Sequence, residues 1–203
     1  MSRVPMIGTE GYAEEADALV KQYESISFAD VHRQVLHLIP AAPGRVLDIG
    51  SGTGRDAAAL AAMGYAVVAV EPTAELRTRA AALHPSPRIE WLDDGLPNLS
   101  RLALRGESFD VVMLMAVWMH LDAEQRRRAM PRVAGLVRQG GVMILTLRHG
   151  PVPPGRRMFE VTATEIIPLA EAEGLRLALR IENQPDFFGR TDVSWTRVAF
   201  SKV

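Results

Sequence analysis

The chain has no cysteine, almost no net charge and no long apolar run, and each absence closes off a class of chemistry. Without cysteine there is no disulfide, no thiolate nucleophile and no cysteine-based zinc site. A formal net charge of −1 over 203 residues gives no global pull toward a polyanion, which weighs against a nucleic-acid partner. The longest apolar stretch, Val111 to Met119, is too short to span a bilayer, and no basic segment leads into an apolar one near the N-terminus. These features predict a soluble, unexported, cytoplasmic protein. Hydrophobic residues, by contrast, are plentiful at 48%, enough for one substantial core, and at this length one decorated domain is the default. Neither internal repeats nor low-complexity linkers interrupt it.

Short apolar runs alternate with stretches of good helix formers. Residues 46 to 49 read as a first strand, Asp56 to Met63 as a helix closed by Gly64, "YAVVAV" (65 to 70) as a second strand and Thr73 to Leu83 as a second helix. "RIEWL" (88 to 92) gives a third strand, and "FDVVMLMAV" (109 to 117), apolar on both faces, reads as a central strand of a parallel sheet. Asp122 with Gln125 marks a helix start, and Pro131 should kink or shorten the helix that runs toward Gly140 and Gly141. "VMILTL" (142 to 147) follows as a fifth strand. Thr162 with Glu165 is a capping-box pattern opening a helix that Gly174 closes, and alternating strands near 175 to 182 and 194 to 201 form a hairpin. The order βαβαβαβαβαββ implies an open, doubly wound α/β sheet. Ahead of it, residues 11 to 39 read as two helices. Ala13, Ala16, Leu19, Val20 and Tyr23 share a face of the first, while Ser27 with Asp30 caps the second, turning Val31, Val35, Leu38 and Ile39 inward. This segment is either a lid over the sheet's carboxyl edge or simple packing.

The stretch "VLDIGSGTGRDAAAL" (46 to 60) carries the functional signal. In a doubly wound sheet, ligands bind beyond the carboxyl ends of the strands where strand order reverses, so the turn after the first strand should be the ligand floor. Gly50, Gly52 and Gly54 lack β-carbons and let backbone approach a ligand closely. Glu71, about twenty residues further on at the end of the second strand, is placed to accept hydrogen bonds from two ribose hydroxyls. A dinucleotide fingerprint, G-x-G-x-x-G counted from Gly50, would need a glycine where Arg55 stands, and Asp48 would repel a pyrophosphate. A cation suits that carboxylate instead, through a charge-assisted hydrogen bond or a bridging water. Adenine, ribose and a cationic amino-acid tail together describe S-adenosylmethionine.

"VLDIGSGTGRDAAAL" resembles motif I of the class I SAM-dependent methyltransferases, "VVAVEPTAELRTRA" their second-strand acidic motif, "WLDDGLP" the adenine-contact loop, "FDVVMLMAVWMHL" the fourth-strand motif and "QGGVMILTLR" the fifth. The resemblance covers residues 40 to 148. It implies a Rossmann-like, mostly parallel seven-stranded sheet with the last strand antiparallel, divided into an N-terminal helical lid (1 to 40), a cofactor-binding core (41 to 150) and an acceptor-side helix and hairpin (151 to 203). It further implies that Asp48, Gly50, Ser51 and Gly52 face the methionine moiety, Glu71 takes the ribose, Pro72 flanks the adenine, and Asp93, with Asp94 beside it, meets the adenine amino group. Family members often carry Asn or Ser where this chain has Met115 and Ala116, so contacts there should be apolar or through the backbone.

Methyl transfer from a sulfonium is an in-line displacement in which the protein supplies alignment and a dry cavity, so few catalytic side chains are expected. His120 aligns with a histidine common after the fourth strand and is either catalytic or a structural group near the next helix. Arg148 and His149, leaving the fifth strand, should face the crevice. Trp118 is core or acceptor wall. Phe187, Phe188 and Arg190 lie in a loop that forms substrate wall or interface, and Arg156 and Arg157 read as an acidic-group clamp or a solvated pair. Tyr12, Tyr23 and His32 could reach over the cofactor or merely pack. Lack of cysteine removes the covalent mechanism of cytosine C5 methylation, no N-P-P-Y or D-P-P-Y follows strand four, and no carboxylate set suggests a metal. The expected acceptor is a small molecule, and the mild basicity after residue 148 points to an acidic one. Two other readings stay open, a non-catalytic sensor or partner subunit binding SAM or its product SAH, and a nucleotide-binding oxidoreductase; an RNA- or protein-directed methyltransferase is a weaker variant within the main methyltransferase reading.

Overall fold

The computed structural model describes residues 8–203. Its strands are β1 (Arg45–Ile49), β2 (Ala66–Val70), β3 (Ile89–Leu92), β4 (Phe109–Leu114), β5 (Val137–His149), β6 (Leu175–Pro185) and β7 (Ser194–Lys202). They form one sheet in the order β3-β2-β1-β4-β5-β7-β6. Pairing is parallel from β3 through β5, and β7 runs antiparallel between β5 and β6, as expected of the seven-stranded Rossmann-like fold. Strand order reverses between β1 and β4, opening a crevice beyond their carboxyl ends. The helices are α1 (Ala16–Tyr23), α2 (Phe28–His32), α3 (Arg55–Ala62), α4 (Ala74–Leu83), α5 (Ala123–Leu136) and α6 (Ala163–Ala172).

Strand alternation divides the core. Leu47, Ile49, Leu145 and Leu147 pack on one face of the sheet, and Val46, Met113, Ile144 and Ala199 on the other. The second face carries, two or four residues further toward the carboxyl edge, Asp48 on β1 and Thr146 and Arg148 on β5, with Arg197 of β7 paired opposite Thr146. This parity decides which polar residues enter the crevice.

Several elements differ from the pattern in the sequence. Between β3 and β4 there is no α-helix, only a 3₁₀ turn at Leu102–Leu104. The apolar run beginning at Phe109 stops being strand at Leu114, because Ala116 takes φ +59° and gives its N–H to the Thr146 hydroxyl at 2.8 Å. α5 has the full capping box of Asp122 and Gln125, runs through Pro131 and ends at Leu136, so that β5 already begins at Val137, opposite Phe109. At α6 the Thr162 hydroxyl accepts from the Glu165 N–H, but the Glu165 carboxylate turns to Arg126 (2.7 and 3.0 Å) rather than back to the cap.

The N-terminal helices are shorter than their periodicity predicts. Ala13 precedes α1, of whose face Ala16 and Leu19 are buried, against Leu76 of α4. Ser27 caps α2 as expected, α2 stops at His32, and Leu38 and Ile39 are only partly buried. Among the described residues no helix is long and apolar enough to cross a membrane.

Candidate active site

The turn after β1 is fastened to β2 by the N–H groups of Gly50 and Ser51, which both donate to the Val70 carbonyl (2.8 and 3.0 Å). Its glycines have φ of +71°, +56° and +86°, a region that side chains disfavour. Their surroundings differ. A β-carbon on Gly50 would lie 2.5 Å from Val117, and one on Gly54 2.5 Å from Trp91, whereas at Gly52 nothing stands within 4 Å. The outer glycines allow close packing, and the middle one faces open space.

That space is a cavity of about 460 Å³ at the carboxyl edge of the sheet. Asp48 lines it, is buried, and has its Oδ2 without a partner among the described residues. Burial, together with the nearby Asp56 carboxylate, pushes the Asp48 carboxyl well above its ordinary range. Glu71, also buried, accepts from the N–H groups of Gly52 (2.9 Å) and Thr73 (2.8 Å), yet burial still raises it. Asp56 behaves in the opposite sense: burial opposes its charge, but His32 at 2.7 Å and Arg55 at 2.8 Å hold it far below the usual carboxylate range. An unpaired buried carboxyl beside an open glycine suits a cationic group, because the incoming charge restores what desolvation removed.

Ser51 and Pro72 also line the cavity, as do Met115 and Ala116. Asp93 and Asp94 do not. Asp93 pairs with Arg77 at 3.3 Å, and the buried Asp94 accepts from the N–H groups of Gly95, Arg101 and Leu102 (2.9, 2.8 and 2.9 Å). The residues of this loop that do reach the cavity are Gly95 and Leu96, so an adenine contact here falls to backbone and apolar surface.

On the other side, Tyr12, His120, Arg148, Phe187, Phe188 and Arg190 all reach the cavity. The His120 Nδ1 donates to the Arg157 carbonyl at 2.9 Å, which leaves Nε2 to accept from the Tyr12 hydroxyl at 3.0 Å. Burial lowers His120, favouring the neutral ring, and raises Tyr12. Arg156 stacks over the Tyr12 ring at 4.0 Å and pairs with Glu15 at 2.6 Å, so it holds the N-terminal segment over the cavity rather than remaining solvated. Arg157 faces Phe159 and Asp122. Arg190 is clamped by Asp186, whose carboxyl sits at about 2: burial opposes its charge, but Arg190 and the Trp195 Nε1 outweigh it.

Three further candidate residues lie elsewhere. Trp118 is fully buried in the core and forms no wall. His149 stands on the opposite face from Arg148, by strand alternation, and bonds the Thr196 hydroxyl at 2.8 Å. His32 supports Asp56 without lining the cavity. Conversely, Thr146, Gln34, Gln184 and Arg197 line it, and of these the alternation of "WTRVAF" alone could have marked Arg197.

A family model described as a methyltransferase domain matches residues 47–145, the stretch that builds the glycine turn, Glu71 and β4. The matched stretch, just under half of the chain, is similar to the class I SAM-dependent methyltransferases. The chain is 37% identical over 105 residues to an uncharacterized methyltransferase of Mycobacterium tuberculosis, covering 51% of the chain and 40% of that protein. It is 27% identical over 135 residues to the glycine N-methyltransferase of Mus musculus, with 57% and 46% covered. The aligned region thus spans less than half the length of either relative. Among solved structures, the Burkholderia thailandensis 1,6-didemethyltoxoflavin-N1-methyltransferase, with bound 1,6-didemethyltoxoflavin and S-adenosylhomocysteine, superposes with a TM-score of 0.66 at 20% identity, over 100% of this chain and 93% of that one. At that identity the likeness speaks for the fold.

Proposed function

We propose that the protein transfers a methyl group from SAM to a small-molecule acceptor. The observation that carries this reading is the buried Asp48 carboxyl, unpartnered on Oδ2 and set beside the open Gly52. Asp48 takes the ammonium group of the amino-acid tail. Glu71 keeps lone pairs beyond its bonds to Gly52 and Thr73, and accepts from the ribose hydroxyls. Gly95, Leu96 and Pro72 provide the surface against which adenine lies.

When bound, SAM supplies the methyl carbon and the sulfonium leaving group. The chain supplies alignment and exclusion of water for an in-line displacement, contributions on the order of 7–11 kcal/mol in favourable cases. Tyr12 and the Arg156 clamp roof the cavity from the N-terminal segment. His120, neutral and held through Nδ1, handles a proton through the Tyr12 hydroxyl where the acceptor must lose one.

Calorimetric titration with SAM, SAH and NAD in parallel tests this. Binding of the first two in the micromolar range, about −8 kcal/mol, with none for NAD, is the expected result. Binding of NAD alone, or of none of the three, overturns the reading. Tight binding without turnover across an acceptor screen would favour a sensor or partner subunit.

A further inference from the structure

The charges lining the cavity are unevenly distributed. Its cofactor end, beyond β1 and β2, carries the carboxyls of Asp48 and Glu71. Of the six lining guanidiniums, that of Arg33 is exposed, and three have a carboxylate: Arg55 has Asp56 at 2.8 Å, Arg156 has Glu15 at 2.6 Å and Arg190 has Asp186 at 2.7 Å. Arg148 and Arg197 have none within 4.0 Å among the described residues. Both are more than nine-tenths buried. Arg148 donates from Nη1 to the Gly150 carbonyl at a long 3.3 Å. Arg197 donates from Nη1 to the Gln34 amide oxygen, also at 3.3 Å, and its Nε has no partner.

An uncompensated buried cation is costly, and folding alone gives no reason to keep two of them at one end of a cavity. Burial pushes both guanidiniums down, and the carboxylates that act on them, Asp186 and Asp192 on Arg148 and Asp56 on Arg197, do so from beyond pairing distance. Their position is fixed by the sheet. Arg148 on β5 and Arg197 on β7 lie on the same face as Asp48, and β5 is two strands removed from β1, about 10 Å at the usual spacing. Thr146 and the Met115–Ala116 backbone lie between. An acceptor held by an acidic group at the β5–β7 end therefore extends its other end toward the turn after β1.

We propose that the acceptor is a small organic carboxylate whose acidic group is bound by the buried, unpaired guanidiniums of Arg148 and Arg197, with its methyl-accepting atom turned toward Gly52. The proposal rests on the methyltransferase reading, because Asp48 and Glu71 must be taken by the cofactor for the opposite end to be the acceptor subsite.

The test uses the full chain saturated with SAH, titrated with benzoate and with benzamide, its neutral counterpart of like shape, in the wild type and in Arg148→Gln, Arg197→Gln and Arg148→Lys. Benzoate should bind and benzamide should not. Each glutamine variant should weaken benzoate by roughly ten- to a hundredfold, the range for loss of a charge-assisted hydrogen bond, and lysine should restore part of the loss. SAH affinity should stay within the wild-type range in every variant, which also shows that each is folded. Equal binding of benzoate and benzamide, or binding of neither, overturns the proposal. So does a matching loss of SAH affinity, since the guanidinium would then hold the cofactor's own carboxylate. Failure of the wild type to bind SAH at all is a different result, and it removes the methyltransferase reading itself.

Discussion

At the β1–β2 end of the cavity, Asp48, the glycine turn and Glu71 come from a single stretch of 24 residues, fastened internally by the bonds of Gly50, Ser51 and Gly52. At the β5–β7 end the walls come from Tyr12, His120, Arg148, Phe187, Arg190 and Arg197, brought together by contacts such as Tyr12 to His120 across 108 positions. The first end is a local device that a strand, a turn and a helix make almost by themselves. The second exists only once three distant segments have docked, which leaves it free to differ between proteins sharing the first.

The largest expected effect separates the cavity from the core beneath it. Trp118→Ala should cost about 3–5 kcal/mol of unfolding free energy, measured by denaturant titration, because the side chain is fully buried among apolar neighbours. A loss of turnover with stability intact would return Trp118 to the acceptor wall.

Asp48→Asn should weaken SAM by roughly ten- to a hundredfold, by losing a charge-assisted bond, yet stabilise the free protein at neutral pH. The Asp48 carboxyl is raised by burial, so its favourable contribution is complete below the ordinary carboxylate range and disappears as pH rises through the raised value. Melting temperatures of the two proteins should therefore converge in acid and separate as pH increases. Separation in the other direction would mean that Asp48 is held charged by a partner.

The smallest effect compares two neighbours on one strand. His149→Ala loses a single bond to Thr196 on the face away from the cavity, at a cost of about 1 kcal/mol or less, with the SAM affinity and kcat of the wild type. A large fall in kcat would show that the alternation of β5 does not govern which residues act.

Most of the sheet, and the turn of Asp48 to Gly54 with Glu71 beside it, were legible in the sequence, because both rest on short-range pattern: apolar runs, capping residues, and glycines spaced around a carboxylate. The errors share a physical origin. Apolarity could not reveal that Ala116 turns into a left-handed conformation and ends β4, since the cause is a hydroxyl from Thr146 on the neighbouring strand. A doublet of acids could not reveal that Asp94 would be consumed by three backbone N–H groups. Arg148 and His149 looked equivalent until strand parity separated them. Arg197 was passed over because it lies in the hairpin, far from any motif, and its value comes wholly from being paired beside Thr146.

The placement of β7 has a consequence for how the chain reaches its final form. It follows β6 in the chain, yet it lies inside the sheet, between β5 and β6. A chain ordered only as far as Pro185 leaves the Val142–Leu147 edge of β5, a run of strongly apolar strand formers, with its backbone hydrogen-bonding groups unpaired. Until Ser194–Lys202 inserts, that edge is open to pairing with other chains, and Arg197, one wall of the cavity, is not yet in place. Closing this edge of β5 and placing Arg197 in the cavity wall are thus a single event in assembly.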